Sequence, residues 1–140
     1  MKPYYTLLLI ALVLGACAQS STVPLAVDTM QITTRAAPAC GGSTGAQKLA
    51  MKRAAVETIT RGYDKFVILG AQDRNDAKVL GYTPVHTGGQ PIIAGGHKQS
   101  LIVKMFKADD PAGANALPAR VQLGPEWQKI VNEGESNTCL

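Results

Sequence analysis

Hydrophobic and polar positions alternate along several short segments of the chain, which predicts strands. The alternation is clearest over residues 101–106, because successive side chains of a strand point to opposite faces. A partial alternation over residues 27–34 predicts a first strand at the edge of a sheet. The continuous apolar run at residues 66–69 predicts a central strand covered on both faces. Residues 79–83 and 92–94 predict two weaker strands.

A helical spacing of apolar residues follows the glycine-rich stretch near residue 40. Between residues 45 and 61 they recur every four positions, which predicts a helix over that range. Thr44 and Gln47 have the spacing of a capping box, so Thr44 is expected to cap the start of the helix. Gly62 is expected just after its end, and a last helix is expected to stop near Gly134.

The order of these elements predicts an α+β fold, with a small antiparallel sheet and helices packed on one face. Helix starts are predicted at Asp110-Pro111 and Gly124-Pro125, because proline suits the first turn of a helix. Residues 27–140 are expected to form a single domain. The small and polar residues 17–26 are expected to be a flexible tether in front of it.

The apolar run at residues 7–14 is too short to cross a bilayer, which takes ~20 apolar residues in a helix. Because Lys2 precedes this run and small residues follow it, residues 1–16 are interpreted as a secretory signal peptide. The sequence Leu-Gly-Ala-Cys that ends at Cys17 looks like a bacterial lipobox. That resemblance implies a diacylglycerol on the Cys17 thiol, with palmitate among its chains. The alternative is an ordinary cleaved signal with an incidental cysteine.

The chain contains three cysteines, an odd number for a secreted protein. Once Cys17 is assigned to the lipid, Cys40 and Cys139 remain. The bacterial periplasm is oxidising, so we expect a Cys40–Cys139 disulfide. Free thiols and metal ligands are the alternatives.

The formal net charge is +4, and the basic residues are scattered, which does not favour nucleic-acid binding.

Two cysteines and two histidines suit tetrahedral zinc, but no pair has the close spacing of zinc modules, so no metal and no cofactor are predicted. His97 is interpreted as a surface turn residue. The full set of zinc candidates is Cys40, His86, His97 and Cys139.

Gly41, Ser43 and Gly45 form the Gly-x-Ser-x-Gly pattern of a hydrolase nucleophile elbow. Pro38 makes a central strand unfavourable in the segment before the pattern, because proline cannot donate a backbone hydrogen bond to a sheet. The chain is also short for the parallel sheet that carries such an elbow. The interpretation favoured is therefore a glycine turn with a helix cap rather than a catalytic serine. The acid and base of a hydrolase would come from Asp73 or Asp76 and from His86 or His97.

Two segments, RAAVETITRGYDKFVIL and HKQSLIVKMFKADDPAGANALPARVQLGPEW, carry a resemblance together with the ending SNTCL. They resemble an uncharacterised family of small lipoproteins from Gram-negative bacteria, and the likeness covers residues 40–140. It implies a lipid anchor and one compact domain. The family has no assigned activity, so the resemblance transfers no catalytic residues.

These features predict a lipid-anchored lipoprotein of the cell envelope, held on a membrane through Cys17 and facing the periplasm, with the outer membrane as one candidate. We expect a non-enzymatic structural module or one that interacts with an envelope protein. The alternative is a binding module for a small envelope ligand, which needs an apolar pocket of ~300 Å³ or more. The third interpretation, a serine hydrolase, needs Ser43 Oγ within ~3 Å of a histidine.

Overall fold

Five antiparallel strands form the main sheet. The computed structural model describes residues 18–37, 40–75, 78–82, 91–94 and 96–134. The strands of the main sheet are β1 (Ala18–Ala26), β2 (Thr29–Ala36), β3 (Lys65–Asn75), β6 (His97–Phe106) and β7 (Leu117–Pro118). They lie in the order β1-β2-β6-β3-β7, and every neighbouring pair is antiparallel. Strands β4 (Lys78–Tyr82) and β5 (Pro91–Ala94) pair in a separate antiparallel ribbon.

The long helix α1 (Gly42–Thr60) packs against β2, β6 and β3. Two short helices, α2 (Ala119–Leu123) and α3 (Trp127–Glu133), contact α1, and a 3-10 turn spans Pro111–Gly113. The predicted α+β class is therefore confirmed. Helix α2 is not predicted by the sequence pattern, because five residues are too few to show a helical period.

The hydrophobic core lies between α1 and the sheet. Alternate residues of β2 and β6 supply its large side chains, as the sequence pattern predicts, and α1 contributes mainly alanines. Met51 and Ile59, expected at the centre of the helix stripe, are only partly buried at its margin. Fully burying a large apolar side chain contributes ~1.5–3 kcal/mol, so the sheet provides most of the apolar stabilisation. The core comprises Met30, Ile32, Ala50, Ala54, Ala55, Phe66, Leu101, Val103, Met105 and Ala119.

Residues 18–26 form a strand, so the expectation of a flexible tether is wrong. The whole segment pairs with β2, from Ala18 opposite Ala36 to Ala26 opposite Thr29. Consequently β1 occupies the sheet edge that was expected for residues 27–34, and β2 lies between β1 and β6. An edge strand tolerates proline and polar side chains, because one of its sides has no ladder to complete.

Strand β3 is less covered and much longer than predicted. Phe66 is fully buried, but Ile68 and Leu69 are 37% and 61% exposed, so the expectation of cover on both faces is wrong. A register shift between Ile68 and Gly70 interrupts the alternation. The strand then continues beyond the predicted range of residues 66–69, pairing with β6 as far as Asn75 opposite His97. Backbone pairing holds this half of β3, since its side chains are exposed.

Candidate functional site

A glycine turn joins β2 to α1. Gly41 and Gly42 have φ angles of +88° and +57°, a region that residues with a Cβ atom rarely adopt. Gly45 has a different requirement, because a Cβ atom there would overlap the carbonyl oxygen of Cys40. The glycines of the Gly-x-Ser-x-Gly pattern thus serve chain reversal and a close backbone approach.

Helix α1 does not start with the predicted capping box. Gly41 is the N-cap residue, and no side chain caps the helix. The amide of Gly45 donates a hydrogen bond to the carbonyl oxygen of Gly41 at 3.2 Å. Thr44 is exposed within the first turn. The helix begins earlier than predicted because the glycines have already reversed the chain before Ser43.

His97 lies in β6 opposite Ala36, so its interpretation as a surface turn residue is wrong. Its ring lies beside the glycine turn, and a Cβ atom at Gly42 would be 3.2 Å from the ring atom Cδ2. His97 Nδ1 is buried, lies 3.9 Å from Asp73 Oδ1, and has no hydrogen-bond partner in the described part of the chain. The fold therefore brings His97, Asp73 and the turn that carries Ser43 to the same end of the sheet.

This arrangement does not meet the geometric requirement set for a serine hydrolase. A separation of 3.9 Å between His97 Nδ1 and Asp73 Oδ1 is longer than a hydrogen bond. Within the described residues, no hydrogen bond joins Ser43 to His97. The other two candidates, Asp76 and His86, lie outside the described residues.

Cys40 packs beside the same turn. Its side chain is 8% exposed and forms a small cluster with Ala36 and Ala46. A disulfide is the interaction predicted for this side chain, and its candidate partners are not among the described residues. Cys17 and Cys139 are both outside them, so the lipid on Cys17 and the pairing of Cys40 with Cys139 stay predictions.

The sheet face opposite α1 carries a row of three basic residues with a glutamine at its end, which we call the basic row: Gln19, Arg35, Lys98 and Arg74. Arg35 is the partner of Gln19 on β1 and of Lys98 on β6, and Lys98 is also the partner of Arg74 on β3. Directly paired residues share a face, so the three cations stand side by side. The next rows are uncharged, and the Thr33 and Ser100 hydroxyls lie 2.9 Å apart.

Two depressions flank the basic row, with Lys98 in the wall of both. One has a volume of about 430 Å³ and includes Arg74, Asp73 and Ser100 in its lining. The other has a volume of about 310 Å³ and includes Gln19 and Arg35. Both are open depressions lined by polar and charged residues, which suits a charged or hydrogen-bonding partner rather than an apolar one.

Acidic groups near the other end of this face are already engaged. Asp28 Oδ2 lies 3.5 Å from Lys104 Nζ. A hydrogen bond from the Thr29 hydroxyl, aided by the Lys104 charge, lowers the pKa of the Asp28 carboxyl. The positive charge of Lys104 is thereby balanced, whereas the basic row concentrates charge of one sign.

A groove of about 420 Å³ lies between α1, α2 and α3. Met51, Leu123 and Ile130 supply its apolar part, and Lys48 and Lys52 supply charge. Its volume exceeds the ~300 Å³ set for a small-ligand site, but glutamine and lysine residues line it together with the apolar ones.

The described residues show no metal cluster: within 18–37, 40–75, 78–82, 91–94 and 96–134, no three His, Cys, Asp or Glu residues could hold an ion together. None of the helices in those ranges has the length and apolar character to cross a membrane.

Comparison with protein-family models, curated proteins and solved structures finds no significant match. The resemblance to Gram-negative lipoproteins therefore stays a prediction from the sequence.

Proposed function

We propose that this protein is a lipid-anchored component of the bacterial cell envelope, held on a membrane through Cys17 and facing the periplasm. Its α+β domain serves as a non-enzymatic interaction module. The observation that supports this most strongly is that the chain is already paired in β1 at Ala18, the residue after the predicted lipidation site. Without a spacer, the lipid on Cys17 holds the sheet against the membrane.

The sheet face opposite α1 is the part of the module best suited to interaction. It presents threonine, serine and glutamine side chains together with the basic row, all half-buried or exposed. Groups of this kind form hydrogen bonds and ion pairs with a partner at little desolvation cost. An enzymatic function has weaker support. Within the described residues, Ser43 lacks the contact with a histidine that a catalytic nucleophile needs.

Metabolic labelling tests the anchor. Cells that express the full chain are grown with a labelled fatty acid, and we expect the purified protein to carry the label. Cys17→Ala should abolish the label, because the thiol is its attachment point. Cys139→Ala is the matched control, and it should keep the label since it leaves the lipobox unchanged. A labelled Cys17→Ala protein, or an unlabelled wild type, would contradict the proposal.

A second candidate function is binding of a small amphipathic anion in the groove between α1, α2 and α3. The favouring observation is the combination of an apolar floor with Lys48 and Lys52. Trp127, the chain's single tryptophan, begins α3 and reports on that region. A saturable change in its fluorescence on addition of a fatty acid would favour this candidate over a protein-interaction module.

A further inference from the structure

We propose that the basic row binds the phosphates of anionic phospholipid headgroups in the membrane that holds the protein. Arg35, Lys98 and Arg74 are the binding residues, and Gln19 is the member of the row nearest to Cys17 along the chain. This inference rests on the proposed lipid anchor and adds a second contact between the domain and the same membrane.

The register of three strands creates the charge density. Lys98 lies opposite Arg35 on one side and opposite Arg74 on the other. Side chains at such positions have Cβ atoms ~4.5–5.5 Å apart, and like charges there are destabilising. Lys98 is half-buried and Arg74 is exposed, and neither makes an ion pair in the described part of the chain. A bound anion would relieve this repulsion.

The nearby acidic group is too small a counter-charge for the row. Asp73 lines the same depression as Lys98 and Arg74, and its carboxylate lies 3.9 Å from His97. Among the described residues, this one carboxylate is shared by two cations, Lys98 and Arg74, so positive charge remains in excess in that depression. Glu57 does not add to the negative charge near the row, because this residue is on α1 and pairs with Arg53 at 2.8 Å.

The position of the row favours headgroups over other anions. Gln19 is two residues from Cys17, and an extended chain rises ~3.3 Å per residue. Lys98 is two strands further across the sheet, at steps of ~4.8 Å each. Measured from Cys17, these spacings place Arg35, Lys98 and Arg74 at roughly 8, 12 and 16 Å, which is about one to two Debye lengths of ~8 Å in physiological salt.

The chemistry of the row suits phosphate diesters. Arginine donates paired N–H groups to phosphate oxygens, and lysine adds a point charge. The Ser100 and Thr33 hydroxyls lie in the next row and can donate to the ester oxygens. The depressions on both sides of Lys98 leave room for a headgroup.

Vesicle sedimentation tests the inference with the full chain carrying Cys17→Ser, which removes the acyl anchor. Vesicles of phosphatidylcholine alone report binding through the apolar amino-terminal residues. Vesicles that also contain phosphatidylglycerol add the anionic headgroup, and we expect tighter binding to them. Each cation of the row is expected to raise the affinity for the anionic vesicles about fivefold. Lys98→Gln should therefore weaken this affinity about fivefold. The triple variant Arg35→Gln/Lys98→Gln/Arg74→Gln should weaken it about 100-fold.

Lys129→Gln is the matched control, because it removes one positive charge from an exposed site on α3. We expect less than a twofold change for it. Thermal unfolding of each variant shows whether it keeps the fold. If the triple variant does not fold, the single variant Lys98→Gln provides the test. Equal binding of wild type and Lys98→Gln to the anionic vesicles would overturn the inference.

A competition arm separates headgroups from free anions. Excess inorganic phosphate at constant ionic strength should leave the vesicle-bound fraction nearly unchanged, whereas complete release would assign the row to a soluble anion and overturn the inference. The labelling experiment tests the lipid anchor separately from the headgroup contact. If Cys17 carries no label but vesicle binding still depends on the basic row, the proposed anchor is wrong and the headgroup contact is kept.

Discussion

At the residue scale, small side chains set how closely α1 approaches the sheet. Ala46 is fully buried, and its carbonyl oxygen accepts a hydrogen bond from the buried Thr34 hydroxyl at 2.8 Å. Ala50 and Ala54 continue the same contact stripe along the helix. At the start of the helix, Gly45 lies directly against the backbone of Cys40. The close contact between helix and sheet thus depends on residues that add almost no side-chain volume.

Gly45→Ala gives a prediction whose sign distinguishes packing from helix propensity. Alanine is favoured over glycine in a helix by ~1 kcal/mol, so propensity alone would stabilise the variant. The structure predicts the opposite, because the new Cβ atom overlaps the Cys40 carbonyl. We expect the free energy of unfolding in urea to fall by about 2–3 kcal/mol.

Gly70→Ala is the control for this change. Its Cβ atom would meet only the Ile102 side chain, at an ordinary contact distance of 3.9 Å. We expect its free energy of unfolding to change by less than about 1 kcal/mol. A Gly45→Ala protein as stable as wild type would show that the helix start is less tightly packed than described.

At the element scale, sequence periodicity predicts the parts of the fold that bury one apolar face. The alternation in β6 follows from that burial, whereas α1 buries mainly alanines and leaves Met51 and Ile59 at the margin of the core. Strand β1 gives no such signal, because its stabilisation comes from the ladder with β2 and from polar contacts to α1. Thr22 accepts a hydrogen bond from Arg53 and donates one to Glu57, each 3.3 Å long. Neither contact is visible in a run of small polar residues.

Hydrogen exchange tests whether residues 18–26 are a strand or a tether. Amides of β1 that bond to β2 should exchange far more slowly than in an unfolded peptide of the same sequence, because the paired backbone must open first. The exposed amides of the same strand provide an internal control for intrinsic exchange rates. Uniform exchange at the unfolded rate throughout Ala18–Ala26 would contradict the strand and restore the tether.

The candidate sites show the same limit of sequence reasoning. Chain order allowed Ser43, Asp73 and His97 as candidates for a hydrolase, but it could not give the 3.9 Å gap between Asp73 and His97. The basic row was invisible in the sequence, because residues 35, 74 and 98 are brought together only by the strand register. Scattered charge in the sequence becomes concentrated charge in the sheet.

At the scale of the whole molecule, Ala18 in β1 links the proposed lipidation site with the rest of the fold. Ala18 pairs with Ala36, and Ala36 packs in the cluster that contains Cys40. The residue after the predicted lipidation site is therefore linked to the buried Cys40 through a single strand pair and one side-chain cluster. Because Cys17 directly precedes Ala18 in the sequence, a disulfide between an unmodified Cys17 and Cys40 is the alternative to the proposed Cys40–Cys139 pair. A lipidated Cys17 excludes that disulfide.

Mass spectrometry of the protein purified from its membrane, with a peptide map under non-reducing conditions, tests this point most directly. We predict that the mature chain begins at Cys17, that this residue carries diacylglycerol and an amino-terminal acyl chain, and that Cys40 is joined to Cys139. A chain with the mass of its complete translation, or a peptide in which Cys17 is joined to Cys40, would contradict the lipid-anchored account.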